Sequence, residues 1–445
     1  MSDITPAVKS ASNTKVPPHI RANMSEQEWK QAIKFDSVDI GWIVMSIGMA
    51  IGAGIVFLPV QVGVMGLWVF LLSSIIGYPA MYLFQKLFIN TLAESKKCTD
   101  YPGVISGYLG KNWGVALGIL YFLMLVIWVL VYSLAVTNDS SSYLHTFGIT
   151  EGHLNQNAFY GLALICILAF IGSKGEKLLF KLSGFMAVTV LTLVGVMGVL
   201  LISRWDFNNI PAMGNMGNMG TMIKDAIITL PFTLTSILFI QSLSPMVISY
   251  RSHEKSIEVA RYKASRAMTI AFSILFVVVF FFAISFTFAI NQEQAHEAMQ
   301  QNISALAIIA HYFPGSWATI TGIVINIFAV VTSFFGVFLA FQEACRGLAM
   351  NLLQRKFEES QINRQLVNKL VTVFIILLAW SAVALNAPIL SFTSICSPIF
   401  GLVGCLIPAY LVYKVPSLHK YKGVATNLII ITGILLCISP LLAFM

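Results

Sequence analysis

The run Ser46-Ile-Gly-Met-Ala-Ile-Gly-Ala-Gly-Ile-Val-Phe-Leu-Pro59 sets Gly48, Gly52 and Gly54 inside one apolar stretch, with Pro59 a turn or so later. Each glycine costs a helix interior about 1 kcal/mol relative to alanine, so the spacing predicts an unwound segment. Irregular backbone at membrane depth is tolerated only where it is buried in protein or lines a cavity. The same residues also read as small-residue packing, Gly48-x-x-x-Gly52, and this run alone leaves both readings open. A second run extends from Leu230 to Pro245, where Pro231 and Pro245 bracket Thr233, Thr235, Ser236, Gln241 and Ser242. Each proline removes a backbone donor and crowds the preceding turn. Helices interrupted at corresponding places are the sequence sign of two inverted repeats with a binding site between them. The chemistry of such a site is recognition: free N–H groups of a half-helix hold a carboxylate, and unwound carbonyls hold a cation. A third run contributes the interior polar groups Asn326, Thr332 and Ser333, although hydroxyls in such helices usually bond back to their own backbone.

Charged groups are missing from the same places. No Asp, Glu, His, Lys or Arg falls near the middle of an apolar run; Lys86 and Glu343 lie toward inner ends, Asp139 at an outer end, and all seven histidines in loops, tails or near run ends. A buried carboxylate or histidine relay is therefore not evident. Acid–base, nucleophilic and metal catalysis inside the membrane lack candidates, so the chain does not read as an enzyme and no cofactor is implied. The six cysteines, at 98, 166, 345, 396, 405 and 437, form no C-x-x-C pair and read as small apolar packing residues.

The elements that position these residues are membrane helices. The 445 residues are 57% hydrophobic and 10% charged, against about 25% charged in a soluble domain. That balance excludes a cytosolic enzyme, a disordered chain and a secreted disulfide scaffold. With about 20 apolar residues needed per span, eleven windows are legible: 40–63, 67–92, 114–137, 158–172, 177–202, 224–250, 268–290, 316–344, 367–386, 389–413 and 425–444. With a cytoplasmic N-terminus, all of the 27 Lys and Arg residues except Arg204 and Lys224 fall on the inner side. The positive-inside rule then gives an inner N-terminus and an outer C-terminus. The net charge of +8 is thereby topological, and nucleic acid drops out as a partner; the lipid bilayer is the surroundings.

Residues 1–36 read as a cytoplasmic tail without a signal peptide, in which Ser25 and Glu28 have capping-box spacing ahead of a short helix over Trp29 to Lys34. Residues 37–202 form a first five-helix repeat, 203–223 an external linker, 224–414 a second five-helix repeat, and 415–445 a cytoplasmic loop with the eleventh helix. The linker carries the methionine- and glycine-rich run from Met213 to Gly220 and reads as flexible.

These motifs resemble the hydroxy and aromatic amino-acid permeases of the amino acid–polyamine–organocation superfamily, in particular the bacterial serine and threonine transporters. The matching stretches are Ala50-Ile-Gly-Ala-Gly54 with Phe57-Leu-Pro59; Tyr132-Ser133, Ala135 and Thr137-Asn138; Gln301-Asn-Ile-Ser304; Ser333-Phe334 with Gly336; and Lys414-Val-Pro416 with Lys420-Tyr421 and Gly423. The resemblance implies an all-α polytopic fold of five-plus-five inverted repeats with discontinuous first and sixth helices. It implies cation-coupled import of a small amino acid, L-serine first and threonine, cysteine or an aromatic amino acid as alternatives, across a bacterial inner membrane. By position, the amides of Gly52, Ala53 and Gly54 would hold the substrate carboxylate, and Tyr132 would face the site. Ser236, Phe239, Gln241 and Ser242 would shape the side-chain pocket, with Ser394 and Ser397 as weaker candidates. Serine transporters of this branch tend to carry Asn-His where this chain has Ser242-Leu243, and a lysine where it has Thr332. The carbonyls of Gly48, Ile51 and Ala329 with the hydroxyls of Thr332 and Ser333 instead resemble the sodium site of sodium-coupled relatives, whereas the family is mostly proton-coupled. The proton is preferred on family grounds and sodium on the residues. Outside transport, a channel lacks a repeated filter, and a sensor lacks a sizeable cytoplasmic domain.

Overall fold

The computed structural model describes residues 17–96, 101–173, 176–210, 218–313, 316–353, 358, 361–386 and 389–443, and among them every regular element is a helix. The chain begins with α1 (Pro18–Arg21), α2 (Glu26–Ala32), α3 (Ser37–Val56), α4 (Leu58–Met65), α5 (Leu67–Ala93), α6 (Tyr101–Leu109) and α7 (Lys111–Thr146). It continues through α8 (Ala158–Gly172), α9 (Glu176–Leu201), α10 (Met219–Thr235), α11 (Ile240–His253), α12 (Ile257–Ala289), α13 (Gln292–Gln300) and α14 (Ala305–Tyr312). The remainder holds α15 (Ser316–Leu353), α16 (Arg364–Ala384), α17 (Ile389–Phe400), a π-helical turn at Gly401–Leu406, α18 (Ile407–Lys414) and α19 (Val424–Ala443). Eight of the described helices are long and apolar enough to cross a bilayer. Two bent pairs, α2 with the first part of α3 at 50° and α10 with α11 at 40°, bring the number to as many as ten. The shorter apolar helix α8 matches the short window at 158–172, and each predicted window falls on helix.

The predicted N-terminal helix is present three residues earlier than expected. Ser25 and Glu28 form the capping box in both directions, and Trp29 of α2 is buried against Tyr262 of α12.

The two predicted interruptions exist, but the first is displaced. α3 runs unbroken through Gly48, Gly52 and Gly54 to Val56, and the break falls at Phe57 (φ −108°, ψ −38°), just before α4. The expected unwinding across the glycines is corrected accordingly. Pro59, in the first turn of α4, has no N–H for the carbonyl four residues back and crowds it, which places the break after the glycines. The glycines serve close packing instead. A Cβ at Gly52 would lie 1.9 Å from Ser333 Oγ, and one at Gly54 would lie 2.1 Å from the Ser236 carbonyl oxygen.

The second break lies between the bracketing prolines, which themselves stay helical. Ser236 N–H donates to the Phe232 carbonyl to end α10, and Ser242 N–H donates to the Phe239 carbonyl to begin α11, with Phe239 at φ −131°, ψ 37°. α7 extends to Thr146, well past the predicted end at 137, and α14 and α15 pack against it. Asp139, expected at a span end, is consequently buried.

Candidate functional site

A cavity of about 40 Å³ lies where α3, α7, the α10–α11 break, α15 and the end of α17 meet. It is lined by Met49, Trp128, Tyr132, Thr235, Leu238, Gln241, Thr332, Ser333, Gly336 and Phe400, among others. Of the predicted substrate residues, Tyr132 and Gln241 reach it, and so do the two hydroxyl residues predicted for a cation, Thr332 and Ser333. Sequence reasoning missed Trp128, although it stands one helical turn before Tyr132 and stacks on it with ring centroids 5.4 Å apart.

Three polar atoms of this lining, Trp128 Nε1, Thr332 Oγ1 and Ser333 Oγ, are buried and have no hydrogen-bond partner in the protein. Leaving a buried polar group unpaired costs about 1–3 kcal/mol, so three around one cavity mark a place built to meet a polar guest.

The other predicted residues hold the frame. Ser242 Oγ shares a 2.9 Å hydrogen bond with Ser46 Oγ of α3 and donates to the Phe239 carbonyl at 2.8 Å. Ser236 Oγ donates to the Thr233 carbonyl at 2.7 Å and meets Tyr78 OH at 3.4 Å, while Ser73 and Thr233 share a 2.9 Å bond from α5 to α10. Phe239 is buried at the break, and its carbonyl is taken by Ser242. Ser397 is drawn away from the cavity, donating to the Leu436 carbonyl of α19 at 2.7 Å. The side chains of Ala53 and Ser394, and the linker at 211–217, lie outside the described residues.

For the cation reading, Gly48 and Ile51 are buried on α3, and Gly52 faces both Ser333 and the Ala329 carbonyl, which a Cβ would meet at 3.3 Å. The structure thus joins this part of α3 to the stretch of α15 that carries Ala329, Thr332 and Ser333. The amides of Gly52, Ala53 and Gly54 belong to helical residues, within the ladder of i to i−4 bonds.

One end of the bundle, where α3 begins, is sealed by charge pairs. Asp39, fully buried, accepts from Tyr250 OH and Arg266 Nη2, each at 2.7 Å. Lys263 bridges Asp36 at 3.0 Å and Glu254 at 2.7 Å, and Arg261 holds Glu94 and Glu258, with Lys420 also on Glu94. Burial works to raise the Asp36 carboxyl, but Lys263 and the amides of Asp39 and Val38 outweigh it and hold the carboxyl below its ordinary range. At the other end, the Asp139 carboxylate accepts from Ser304 N–H at 2.8 Å and from Asn326 Nδ2 at 2.6 Å.

No protein-family model matches the chain. It is 66% identical over 430 residues to a serine transporter of Escherichia coli O157:H7, covering 96% of both chains. It is 26% identical over 430 residues to the serine transporter SdaC of Escherichia coli K12, covering 95% of this chain and 97% of that one. A solved structure of MhsT in complex with L-phenylalanine matches with a TM-score of 0.54 at 17% identity, covering 91% of this chain and 97% of that one, which shows a shared fold. The polytopic helical fold, the interrupted helices and near-full-length identity to a serine transporter agree, and the chain belongs to the family of bacterial serine and threonine transporters that its motifs resemble.

Proposed function

We propose that the chain is a secondary active importer of L-serine across the bacterial inner membrane, with its N-terminus cytoplasmic, its C-terminus periplasmic and a cation moving inward with the amino acid. The observation that carries this reading is the cavity of about 40 Å³ with three unpartnered buried donors, in a chain so similar to a serine transporter. A small cavity favours a short side chain over an aromatic one, and hydroxyl and indole groups favour a substrate that hydrogen-bonds in return. Tyr132, Trp128 and Gln241 contact the substrate from α7 and α11. Its carboxylate is received by the Gly52–Ala53–Gly54 segment when α3 opens there, since glycine makes this the least costly stretch of the helix to unwind.

In this reading eleven spans make two inverted five-helix repeats plus a last helix, and the site is exposed alternately to each side. The charge pairs around Asp39, Lys263 and Arg261 form the cytoplasmic seal, which supports a site closed to the inside.

The coupling cation is a proton, as in most of the family. Sodium is the second reading, favoured by the bare Thr332 and Ser333 hydroxyls beside the Ala329 carbonyl. Competition for radiolabelled serine uptake into proteoliposomes tests the substrate: serine, threonine and cysteine compete, and tryptophan competing better than serine overturns the assignment. Saturable accumulation against a gradient separates the importer from a channel or a sensor. Uptake driven by a sodium gradient alone overturns the proton, and a Thr332→Ala variant that loses only cation dependence locates the sodium site.

A further inference from the structure

Asp139 is unusual for its surroundings. It is 1% exposed, it lies within a membrane-length helix, and no cationic residue pairs with it among the described residues. Its two oxygens are held by neutral donors only, the Ser304 amide at 2.8 Å and the Asn326 amide group at 2.6 Å. Ser304 caps the N-terminus of α14 and also accepts from Asn326 Nδ2 at 2.7 Å. One carboxylate therefore ties α7, α15 and the outer helix α14 together.

One helical turn outward on α7, the Tyr143 hydroxyl is buried without a partner. It faces α15 at Gly322, where a Cβ would lie 3.4 Å from it, and Gly322 is one turn outward of Asn326. An ionised carboxylate without a counter-charge is costly to bury, and hydrogen bonds to neutral donors offset part of that cost. The other titratable groups at this end include Tyr143 and His145 on α7, Glu151 and His153 in the following loop, where His153 stacks on His145 with ring centroids 4.4 Å apart, Tyr160 on α8, Glu293, His296 and Glu297 on α13, and His311 and Tyr312 on α14. α15 presents Asn326 and no charged residue from Ser316 to Ala340.

The placement relative to the cavity is regular. Asp139 is seven residues outward of Tyr132 on α7, and Asn326 is seven residues outward of Ser333 on α15. Two turns of helix, about 10 Å, separate the pair from the cavity along the same two helices and on the same faces.

We propose that Asp139 is the proton-binding group of this transporter, the residue that takes up the coupling proton; the assignment rests on the proton-coupled reading above. The carboxylate binds one proton from the outer side and becomes a neutral acid. One of its oxygens then carries an O–H and is a poorer acceptor for the N–H it faces, Asn326 or Ser304. The Tyr143 hydroxyl one turn outward, which has no partner in this structure, is the group toward which the new O–H would have to turn. Protonation thus weakens a bond that seats α14 against α7 and α15. The proton leaves by the reverse step when the cavity faces inward.

The test uses full-length protein in proteoliposomes with a pH-sensitive dye inside, and reads serine-driven internal acidification against serine–serine exchange in the same vesicles. Wild type acidifies, Asp139→Asn loses acidification per serine exchanged, and Asp139→Glu keeps it. Asn326→Asp puts a second carboxylate beside the first, which raises proton affinity, so the external pH of half-maximal uptake moves up by about one unit or more. If Asp139→Asn acidifies as wild type does, the assignment to Asp139 is wrong while proton coupling stands. If wild type itself shows no serine-driven acidification, proton coupling fails and the assignment falls with it. Should Asp139→Asn show no exchange at all, the Asn326→Asp profile decides, and an unshifted profile overturns the proposal.

Discussion

Replacing Gly54 by alanine tests whether α3 is seated directly on the break between α10 and α11. The added Cβ would start 2.1 Å from the Ser236 carbonyl oxygen, 3.1 Å from its carbonyl carbon and 3.2 Å from Val279 Cγ1. An ordinary contact begins at 3.4 Å, so α3 and the break must separate by about 1.3 Å in an interior that packs at crystal density. The obstructing atom is backbone, and no rotamer change removes it. Overpacking of this kind costs about 1–3 kcal/mol. If the cost falls on the conformation in which the two segments touch, its population drops by about 5- to 150-fold. Initial rates of serine uptake, normalised to reconstituted protein, should fall within that range, and the melting temperature in detergent should fall as well. Gly52→Ala is milder, because its closest obstruction is the Ser333 side-chain oxygen at 1.9 Å, which can rotate, although Ser333 Cβ at 2.9 Å cannot. Gly41→Ala, in the same helix with nothing within 4 Å, is the control; it gains up to about 1 kcal/mol of helix propensity. Uptake by Gly54→Ala at the level of Gly41→Ala would refute the packing argument.

Gly336 lines the cavity, yet a Cβ there meets nothing within 4 Å, so Gly336→Ala should leave the melting temperature unchanged or higher while raising KM, more for threonine than for serine. Arg266→Ala leaves the fully buried Asp39 without its cation; losing one partner of a buried pair costs about 3–5 kcal/mol. Tyr250→Phe removes one hydrogen bond from the same carboxylate, worth about 1 kcal/mol, so denaturation in detergent should rank Arg266→Ala well below Tyr250→Phe. Asp36 is held below its ordinary range by Lys263 and two backbone amides. Its contribution is therefore present above its unfolded pKa, near about 4, and is lost as pH falls through the lower folded value. Proteolysis of the N-terminal segment should accelerate only in that acid range, and Asp36→Asn should remove the pH step.

The membrane helices were legible because their signal is local and long: apolar windows and the sidedness of Lys and Arg need no tertiary knowledge. The capping box at Ser25 and Glu28 was legible for the same reason. Gly52 and Gly54 were visibly special, but composition could not tell unwinding from close packing, because the deciding atoms, Ser333 Oγ and the Ser236 carbonyl, lie far along the chain. Ser242 looked like a pocket residue until its partner Ser46 was known. Trp128 carried a usable signal in its i, i+4 relation to Tyr132. Asp139 carried none, since its burial depends on α14, a helix that returns to cover α7 from a separate stretch of sequence.

Gly52 and Gly54 also explain how two sites on different helices can move together. Two residues on an α-helix are separated by about 200°, so the two glycines face opposite sides of α3. Gly52 meets α15 at Ser333 and Ala329, the candidate cation side, and Gly54 meets the α10–α11 break at Ser236. α3 is therefore a wedge with no side-chain slack on either face. A shift of α3 away from one neighbour presses it on the other, because packed interiors transmit displacement and do not absorb it. Below this level, Asp39 near the start of α3 is anchored to Arg266 and Tyr250. A guest held at the Thr332–Ser333 face of α15 and a displacement of the α10–α11 break would act on the same helix, and each would bias the conformation that the other needs.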